Sequence, residues 1–222
     1  DVSHEQRRRS MERIFFHDVL NLAGGINGLV DMLGTECASG QVHEFKVLHT
    51  ATQALVNEIV AQREILAAET NELKPCYSQT DVSGILRQLA GLYAPSHLAQ
   101  GQRIQVEEPD TTLQIETDGR LVHRVLKNAL EAGQVGDTVR LACVDEGEQV
   151  CFRVHNDAVL PEEIQENIFH RRFSTKGVSR GLGTYSMLLL TERYLQGSVG
   201  FTSTGAEGTT FFLRLPKRLE SA

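Results

Sequence analysis

The first seventy or so residues of the chain show a single hydrophobic period. Apolar residues recur at alternating spacings of three and four, and no proline interrupts them. This spacing is a heptad seam, typical of helices that pack lengthwise against one another. It predicts a helical hairpin with two long arms. The seam positions are Phe16, Val19, Ala23, Ile26, Val30 and Leu33, then, after "GTECASG", Phe45, Leu48, Thr52, Leu55, Ile59, Gln62 and Leu66.

A single hairpin of this kind cannot bury both sides of its seam. Two copies together can form a four-helix bundle that encloses both seams in one core. We therefore expect residues 1–73 to form a helical domain that dimerises, and the protein to be a homodimer. Pro75 lies just beyond the periodic pattern and is expected to close this segment.

From residue 74 onward the pattern switches between the period of strands and that of helices. Helical patterns follow Asp81 and Asp118, whose side chains suit a helix start, and a third spans 184–195. The helix after Asp118 is expected to end at Gly133. Residues 74–222 therefore predict an α+β domain. Its expected strands are "RIQVEE", "LQIET", "DTVRLACVDE", "EQVCFRVHN", "GSVGFTST" and "GTTFFLRLP".

Composition restricts the class of protein. Of the 222 residues, 41% are hydrophobic and 23% are charged, as in a globular chain with a buried core. The formal net charge of −7 argues against a nucleic-acid partner, because phosphate contacts need clustered lysine and arginine. The four cysteines show no metal-site spacing and no apolar run is long enough to span a membrane, so we expect a cytoplasmic protein. Because Asp1 replaces an initiator methionine, we also expect a missing upstream portion, where any membrane anchor would lie.

The first helix carries candidate chemistry in "FFHDVLN". A histidine on a helix surface usually has no function, but two features favour one for His17, which lies one position off the seam and faces outward. Asn21, Gly24 and Gly28 share its face, and each glycine inside a helix costs roughly 1 kcal/mol relative to alanine, which favours close approach of another protein. Asp18 follows directly, and its carboxylate could accept an imidazole proton and leave the other nitrogen nucleophilic.

The remaining motifs match a known family in order and spacing. "RVLKNALEA" resembles the asparagine box of the histidine kinases and their wider superfamily of gyrase, heat-shock-90 and mismatch-repair ATPases. "VHNDAVLPEEIQENIF" resembles their first glycine box, "IFHRRFSTKG" the phenylalanine box, "SRGLGTYSMLLL" the second glycine box and "GTTFFLRLP" the final strand. The hairpin resembles their dimerisation and phosphotransfer domain with its His-Asp-x-x-Asn signature. The resemblance covers nearly all of the chain and implies a four-helix bundle followed by an α/β sandwich ATP-binding domain.

Residue chemistry agrees with binding of the two implied cofactors, ATP and Mg²⁺. The side-chain carbonyl of Asn128 is a suitable oxygen ligand for Mg²⁺ on nucleotide phosphates. Gly181 and Gly183 precede a helix, where they free the backbone to approach phosphates near the positive end of the helix dipole. Lys176, in a polar loop, is placed to screen phosphate charge. A surface asparagine, an ordinary loop-to-helix turn and a solvated lysine are the structural alternatives.

The first glycine box departs from the family pattern. In aligned register, Asn156 stands where the family has an aspartate that accepts a hydrogen bond from the adenine amino group. An asparagine carbonyl can accept the same bond, but more weakly because it carries no charge. Ala158 replaces the first glycine of the box. Asp157 would take over the contact if the register is shifted by one residue.

The resemblance implies a two-component sensor histidine kinase. The C-terminal domain would bind Mg-ATP and present its γ-phosphate to His17, with Asp18 orienting the imidazole. The phosphoryl group would pass to an aspartate of a response-regulator receiver domain docked on the bundle. Asn21, one helical turn beyond His17, would orient a water for dephosphorylating that partner.

Two other functions compete with this hypothesis. The first is a histidine phosphotransferase or signalling scaffold that derives from a histidine kinase and does not bind ATP. The altered first glycine box favours it, whereas intact Asn128, Gly181 and Gly183 oppose it. The second is an ATPase of the same superfamily without phosphotransfer, which leaves the hairpin bearing His17 unexplained.

Overall fold

The chain divides into two compact units, Asp1–Leu73 and Lys74–Ala222. Among the residues that the structure describes, no helix has both the length and the apolar character that a membrane crossing requires. The computed structural model describes residues 15–16, 19–30, 42–99, 103–109, 112–131, 137–170 and 183–219.

The described part of the N-terminal unit is helical. Residues 19–30 form helix α1, residues 15–16 are also helical, and helix α2 spans Val42–Glu69. The helical pattern predicted for this part of the sequence is therefore present in the residues that can be described. The connecting stretch "GTECASG" lies outside them.

Helix α2 is terminated by Asn71 and not by Pro75. Asn71 adopts a left-handed conformation with φ of 59°. The N–H of Glu72 donates to the carbonyl of Ala67 at 2.8 Å, and the N–H of Asn71 donates to the carbonyl of Ala68 at 3.4 Å. This pair of bonds is a Schellman motif, which satisfies the last carbonyls of the helix and reverses the chain.

One chain buries only part of the predicted heptad seam. Ala23, Val30 and Thr52 are buried, whereas Ile26 is 42% exposed and Leu55 is 50% exposed. Buried and exposed positions alternate from Ala23 to Val30, whereas the later seam positions Ile59, Gln62 and Leu66 on α2 are half-buried. The packing within a single chain therefore leaves some apolar side chains of the seam exposed to solvent.

A second apolar row on the first helical segment was not identified from the sequence. Phe15, Leu22 and Leu29 lie seven residues apart and are each more than 60% exposed. Seven residues make two helical turns, so Leu22 and Leu29 lie on one face of α1. Together with the exposed seam positions they widen the apolar surface of the N-terminal unit.

The C-terminal unit contains two sheets. Strand β1 (Ser78–Asp81) pairs antiparallel with β3 (Gln114–Thr117). The larger sheet has the order β2-β4-β5-β7-β6, in which β2 and β4 are parallel and the other neighbours antiparallel. The strands of this sheet are β2 (Arg103–Glu107), β4 (Thr138–Asp145), β5 (Gln149–Asn156), β6 (Ser198–Thr204) and β7 (Gly208–Pro216).

Helices cover one face of the larger sheet, and the core lies between the two layers. They are α3 (Val82–Ala99), α4 (Gly119–Leu130) and α6 (Gly183–Tyr194). A short helix, α5 (Glu162–Gln165), lies between β5 and α6 in the chain and has no buried residue. Helices α4 and α6 pack against each other, and the predicted α+β architecture of this unit is confirmed. The apolar face of α4 is buried, at Leu121, Val122, Val125, Leu126, Ala129 and Leu130.

Asp118 fixes the start of α4, as predicted. Its buried carboxylate accepts hydrogen bonds from the N–H groups of Arg120 at 3.0 Å, Leu121 at 3.4 Å and Cys76 at 2.7 Å. Burial raises the pKa of Asp118, but the bonds from the Arg120 side chain and the Cys76 N–H outweigh it and hold this pKa below its ordinary value. The carboxylate thus stays charged while it caps the helix.

Some boundaries differ from the predicted ones. Strand β1 and helix α5 were not expected. The described part of α4 ends at Leu130, with Glu131 at its C-terminal cap, and the predicted end at Gly133 lies outside the described residues.

Candidate functional site

The side chain of Asn128 links α4 to the first turn of α6. Its amide nitrogen donates a hydrogen bond to the hydroxyl oxygen of Ser186 at 2.9 Å. The Ser186 hydroxyl donates in turn to the main-chain carbonyl of Gly183 at 2.7 Å. A Cβ added at Gly183 would lie 3.5 Å from Oδ1 of Asn128. The structure therefore brings Asn128 and Gly183, two sequence-predicted site residues, into one cluster.

This arrangement settles which way the Asn128 amide points. The single hydroxyl proton of Ser186 is used on Gly183, so Ser186 can only accept from Asn128. The amide nitrogen must face Ser186, and Oδ1 is left on the side of the α6 N-terminus. Asn128 is held to α6 by its nitrogen, and its oxygen remains for another role.

The donor set fits a magnesium ion that reaches the site with phosphates. No group of three or more His, Cys, Asp or Glu side chains in the described ranges could hold a metal by itself. Mg²⁺ commonly takes one or two protein oxygens and completes its shell with substrate phosphates and water. Oδ1 of Asn128 is suited to supply one such oxygen.

Asn156 is the last residue of β5 and is only 1% exposed. Its side-chain oxygen accepts a hydrogen bond from the N–H of Ala158 at 3.2 Å, which forms a turn at the strand end. Its amide nitrogen is buried without a hydrogen-bond partner in the described structure. The carbonyl that the sequence suggested as an acceptor for adenine is thus already engaged by Ala158.

The turn after Asn156 is fixed by strands β6 and β7. Thr209 donates its hydroxyl to the carbonyl of Ala158 at 2.7 Å, and Ser203 accepts the N–H of Leu160 at 2.9 Å. Gly208 has φ of 72°, and a Cβ there would collide with the main-chain oxygen of Asn156. A glycine is required at this close approach.

Asp157 points away from this interior position. Its carboxylate is 62% exposed, 3.4 Å from Nε2 of His155 and 3.7 Å from the guanidinium of Arg140. Nδ1 of His155 lies 2.9 Å from the hydroxyl of Thr210. In this arrangement Asn156 is the inward-facing residue of the pair, and His155 belongs to a surface cluster on the sheet.

His123 and the described cysteines complete the set of candidate groups. Nε2 of His123, on α4, is buried without a partner in the described part of the chain, and burial lowers the pKa of this imidazole. Burial raises the pKa of the Cys143 thiol to about 12 and also raises that of Cys151. Cys143 and Cys151 therefore stay protonated, whereas Cys76 is exposed.

The outward face predicted for the first helix is exposed where it can be described. Asn21, Gly24 and Gly28 are all exposed, and a Cβ at either glycine would meet no atom within 4 Å. Packing within the chain thus does not require these glycines. His17 and Asp18 lie outside the described residues.

Two further predicted site residues, Lys176 and Gly181, also lie outside the described residues. Of the two predicted glycines of the second glycine box, Gly183 is the one that the structure describes. The hydroxyl of Thr184, the next residue, donates to the carbonyl of Ile168. This bond ties the start of α6 to the segment that follows α5.

Comparison with known proteins identifies the type of ATPase domain. Residues 116–219 match the family described as histidine kinase-, DNA gyrase B-, and HSP90-like ATPase. The sensor protein KdpD of Clostridium acetobutylicum is 23% identical over 99% of this chain. Residues 116–219 therefore belong to this ATPase family. The chain spans only 26% of the length of KdpD.

Solved histidine kinase structures share the fold of this chain. Full-length ShkA in complex with AMPPNP superposes with a TM-score of 0.77 at 19% identity, over 96% of this chain and 47% of ShkA. Histidine kinase ThkA in complex with response regulator protein TrrA gives a TM-score of 0.60 at 20% identity, over 97% of this chain and 66% of the matched one. At these identities the likeness concerns the fold.

The candidate site also contains supporting residues that sequence analysis did not single out. Ser186 orients Asn128, and Thr209 and Ser203 hold the turn after Asn156. Ser186 lies three residues after Gly183, and residues at this spacing are neighbours on a helix surface. That spacing could have identified Ser186 as a site residue from the sequence. Thr209 pairs with Asn156 only across the sheet, which no local pattern reveals.

Proposed function

We propose that this chain autophosphorylates on His17 with Mg-ATP and passes the phosphoryl group to an aspartate of a response-regulator receiver domain. The observation that carries the nucleotide part is the Asn128–Ser186–Gly183 cluster, which joins α4 to the N-terminal turn of α6. The free N–H groups of a helix N-terminus favour phosphate, and Oδ1 of Asn128 suits a metal bound to that phosphate.

The residues have distinct roles in the transfer. A nitrogen of the His17 imidazole attacks the γ-phosphorus, a nitrogen–phosphorus bond forms, the bond to the β-γ bridging oxygen breaks, and ADP leaves. Asp18 orients the ring and takes the proton from its other nitrogen. Bound Mg²⁺ would neutralise phosphate charge, with Asn128 as one of its ligands. Phosphoryl transfer depends on positioning and on stabilisation of charge. The phosphate end of the site would therefore be formed by Gly181 and Gly183, which let the backbone approach the phosphates, and by Lys176, which screens their charge.

The partner proposals rest on the first helical segment. Gly24, Gly25 and Gly28 have open space around them and are not needed for packing within the chain. Because each costs about 1 kcal/mol of helix stability, their presence supports close docking of another protein beside His17. A response-regulator receiver domain is the proposed partner, as in the complex of ThkA with TrrA. Asn21 would then orient water for dephosphorylation of that partner.

The exposed apolar rows support a homodimer. Ile26 and Leu55 on the seam, and Leu22 and Leu29 beside it, would be covered by a second copy in a four-helix bundle. Large apolar side chains in such a regular row are characteristic of an interface between proteins. We propose residues 1–73 as the dimerisation and phosphotransfer domain and residues 74–222 as the ATP-binding domain.

One observation favours the competing function, a phosphotransfer scaffold that does not bind ATP. The side-chain oxygen of Asn156 already accepts the Ala158 N–H, so the expected acceptor for the adenine amino group is partly used. The two functions differ in whether the chain labels itself.

Incubation of the chain with γ-labelled Mg-ATP tests the proposal. We expect label that is released by acid and stable to base, as for a phosphorylated histidine. His17→Gln should abolish it while nucleotide binding remains, and His49→Gln on α2 should label as the parent does. Labelling that survives in His17→Gln would place the acceptor elsewhere. Absence of both labelling and nucleotide binding in the parent would favour the scaffold.

A further inference from the structure

The two edges of the larger sheet differ in how they are protected against pairing with another chain. The β2 edge (Arg103–Glu107) is five residues long, carries a charged residue at each end and is followed by Glu108 and Pro109. Short length, charge and proline are the features by which proteins keep an edge strand from adding a further strand. The β6 edge (Ser198–Thr204) is seven residues long and contains no charged residue and no proline. Of the two edges, the one at β2 is thus the protected one.

Strand β6 is regular along its whole length. All seven of its residues pair in unbroken register with β7, so no bulge turns the edge away from a neighbour. A Cβ on Gly200 would lie 2.8 Å from the ring of Phe212, which therefore covers this glycine and helps to hold the register. Among the described residues, the main chain of β6 has hydrogen bonds to β7 alone. Within that part of the chain, its outer N–H and C=O groups have no partner strand.

The apolar side chains of β6 are incompletely covered. Val199 and Phe201 face the helix layer and are half-buried, whereas Leu213 and Phe211, their partners on β7, are 2% and 1% exposed. The ring centroid of Phe201 lies 5.8 Å from that of Phe211 and 6.0 Å from that of Phe169. The core thus extends to the edge of the sheet, and a further strand beside β6 would cover it with its own apolar side chains.

The length of the edge indicates what kind of molecule fits it. Seven residues at about 3.3 Å each span about 23 Å. One strand pair of this length buries far less than the roughly 800 Å² per partner of a stable protein interface. Two copies of the chain joined only here would therefore not stay together. Since residues 1–73 are the proposed dimer interface, pairing of β6 with β6 would also link dimers into open chains. A single extended segment of another protein fits the edge better.

We infer that β6 is a docking site for an extended segment of a partner protein, which adds to the five-stranded sheet as a sixth strand. In such complexes the main-chain hydrogen bonds supply affinity and alternate side chains supply specificity. The segment would place apolar side chains beside Val199 and Phe201, and small or β-branched ones beside Gly200 and Thr202 on the opposite face of the sheet. Because the chain has a net charge of −7, a neutral or basic segment is favoured over an acidic one.

Amide hydrogen exchange, measured by NMR on the chain with and without a probe peptide, tests the inference. The probe is a synthetic peptide of alternating valine and threonine with one lysine at each end. The outward amides of an edge strand exchange rapidly, and pairing protects them. At a peptide concentration about ten times its Kd, exchange should slow about tenfold at alternate residues of β6. The amides of the β2 edge are the internal control and should exchange as before.

A second peptide separates strand addition from general adhesion. It carries a methyl group on the main-chain nitrogen of every valine and threonine, so it keeps the side chains and the charges but has no N–H to donate there. It should leave the exchange of β6 unchanged.

Four outcomes would overturn the inference. They are unchanged exchange at β6 with the first peptide at millimolar concentration, equal slowing at β2 and β6, and slowing by the methylated peptide. The fourth is slowing at β6 when the chain is concentrated without peptide, which would identify a second copy as the occupant. None of these measurements reads autophosphorylation, so the proposed kinase function stands or falls separately.

Discussion

The phenol hydroxyl of Tyr77 donates a hydrogen bond to the main-chain carbonyl of Tyr194, with 2.7 Å between the two oxygens. Tyr194 is the last residue of α6, where carbonyls lack partners within the helix. Burial, and then the nearby Asp118 carboxylate, raises the pKa of Tyr77, so its hydroxyl keeps the proton that it donates. The segment before β1 is thereby tied to the far end of the helix that carries Gly183 and Ser186.

Tyr77→Phe should lower the free energy of unfolding by about 1 kcal/mol, because it removes this hydrogen bond and keeps the ring. Urea denaturation of the chain followed by circular dichroism measures the difference. Gln79→Ala, at an exposed position of β1, is the control and should be near neutral. Equal stability of Tyr77→Phe and the parent would mean that water replaces the bond without loss.

The imidazole of His123 should make stability depend on pH. Burial lowers its pKa in the folded protein, whereas the unfolded chain binds the proton near pH 6.5, about the ordinary value for histidine. The unfolded state therefore binds more protons between the two pKa values. The contribution is fully present above about pH 6.5 and is lost as the pH falls through the lower, folded pKa.

His123→Gln should flatten the fall in the free energy of unfolding between about pH 7 and pH 5. Denaturation at several pH values in this interval provides the comparison. His170→Gln, at an exposed position, is the control, and its free energy of unfolding should fall with pH as steeply as that of the parent. A slope that is the same in His123→Gln and the parent would assign the pH dependence to other groups.

The sequence predicted those helices and strands whose apolar residues recur regularly because one face of the element is buried in the core. The apolar stripe of α4 and the alternation in β4 and β5 correspond to buried faces. Strand β1 was missed because "SQTD" contains no apolar residue, and its pairing with β3 depends on a distant segment. The same reason explains why the parallel pairing of β2 with β4 could not be predicted.

The candidate site was predictable in residue type but not in hydrogen bonding. The motif resemblance identified Asn128 and Asn156, and both lie where two elements meet. Which amide atom is engaged depends on Ser186 in one case and Ala158 in the other. Ser186 lies fifty-eight positions beyond Asn128 in the chain, so no local pattern reveals their hydrogen bond. The unpaired amide nitrogen of Asn156 was likewise visible only in the structure.

Ile26→Glu or Leu55→Glu should prevent the proposed homodimer from forming. Both residues are about half exposed in one chain and would be enclosed by the second copy. An unpaired charge in a bundle core is costly, so the dimer should dissociate while the C-terminal unit stays folded. Light scattering at micromolar concentration gives the mass.

Gln53→Glu is the control for the dimer experiment. Gln53 is exposed on α2, so the added charge should remain in water and the mass should stay that of a dimer. A monomeric mass for the parent chain would contradict the dimer outright. Dimeric Ile26→Glu and Leu55→Glu variants would place the interface away from the heptad seam.

Ser186 should support nucleotide binding through Asn128. Its hydroxyl is the acceptor that holds the Asn128 amide nitrogen at 2.9 Å and so directs Oδ1 toward the start of α6. Ser186→Ala leaves that nitrogen without its acceptor and allows the amide to turn. The affinity for a Mg-bound non-hydrolysable nucleotide should fall about five- to tenfold, the equivalent of about one hydrogen bond.

A double-mutant cycle separates this positioning role from a general loss of stability. Asn128→Ala alone should weaken binding more than Ser186→Ala, and the double variant should be no weaker than Asn128→Ala, because Ser186 has nothing left to orient. Ser186→Thr keeps a hydroxyl and should recover most of the affinity. Ser198→Ala, an exposed serine in β6, is the matched control and should bind as the parent does. Losses that add in the double variant would show that Ser186 acts independently of Asn128.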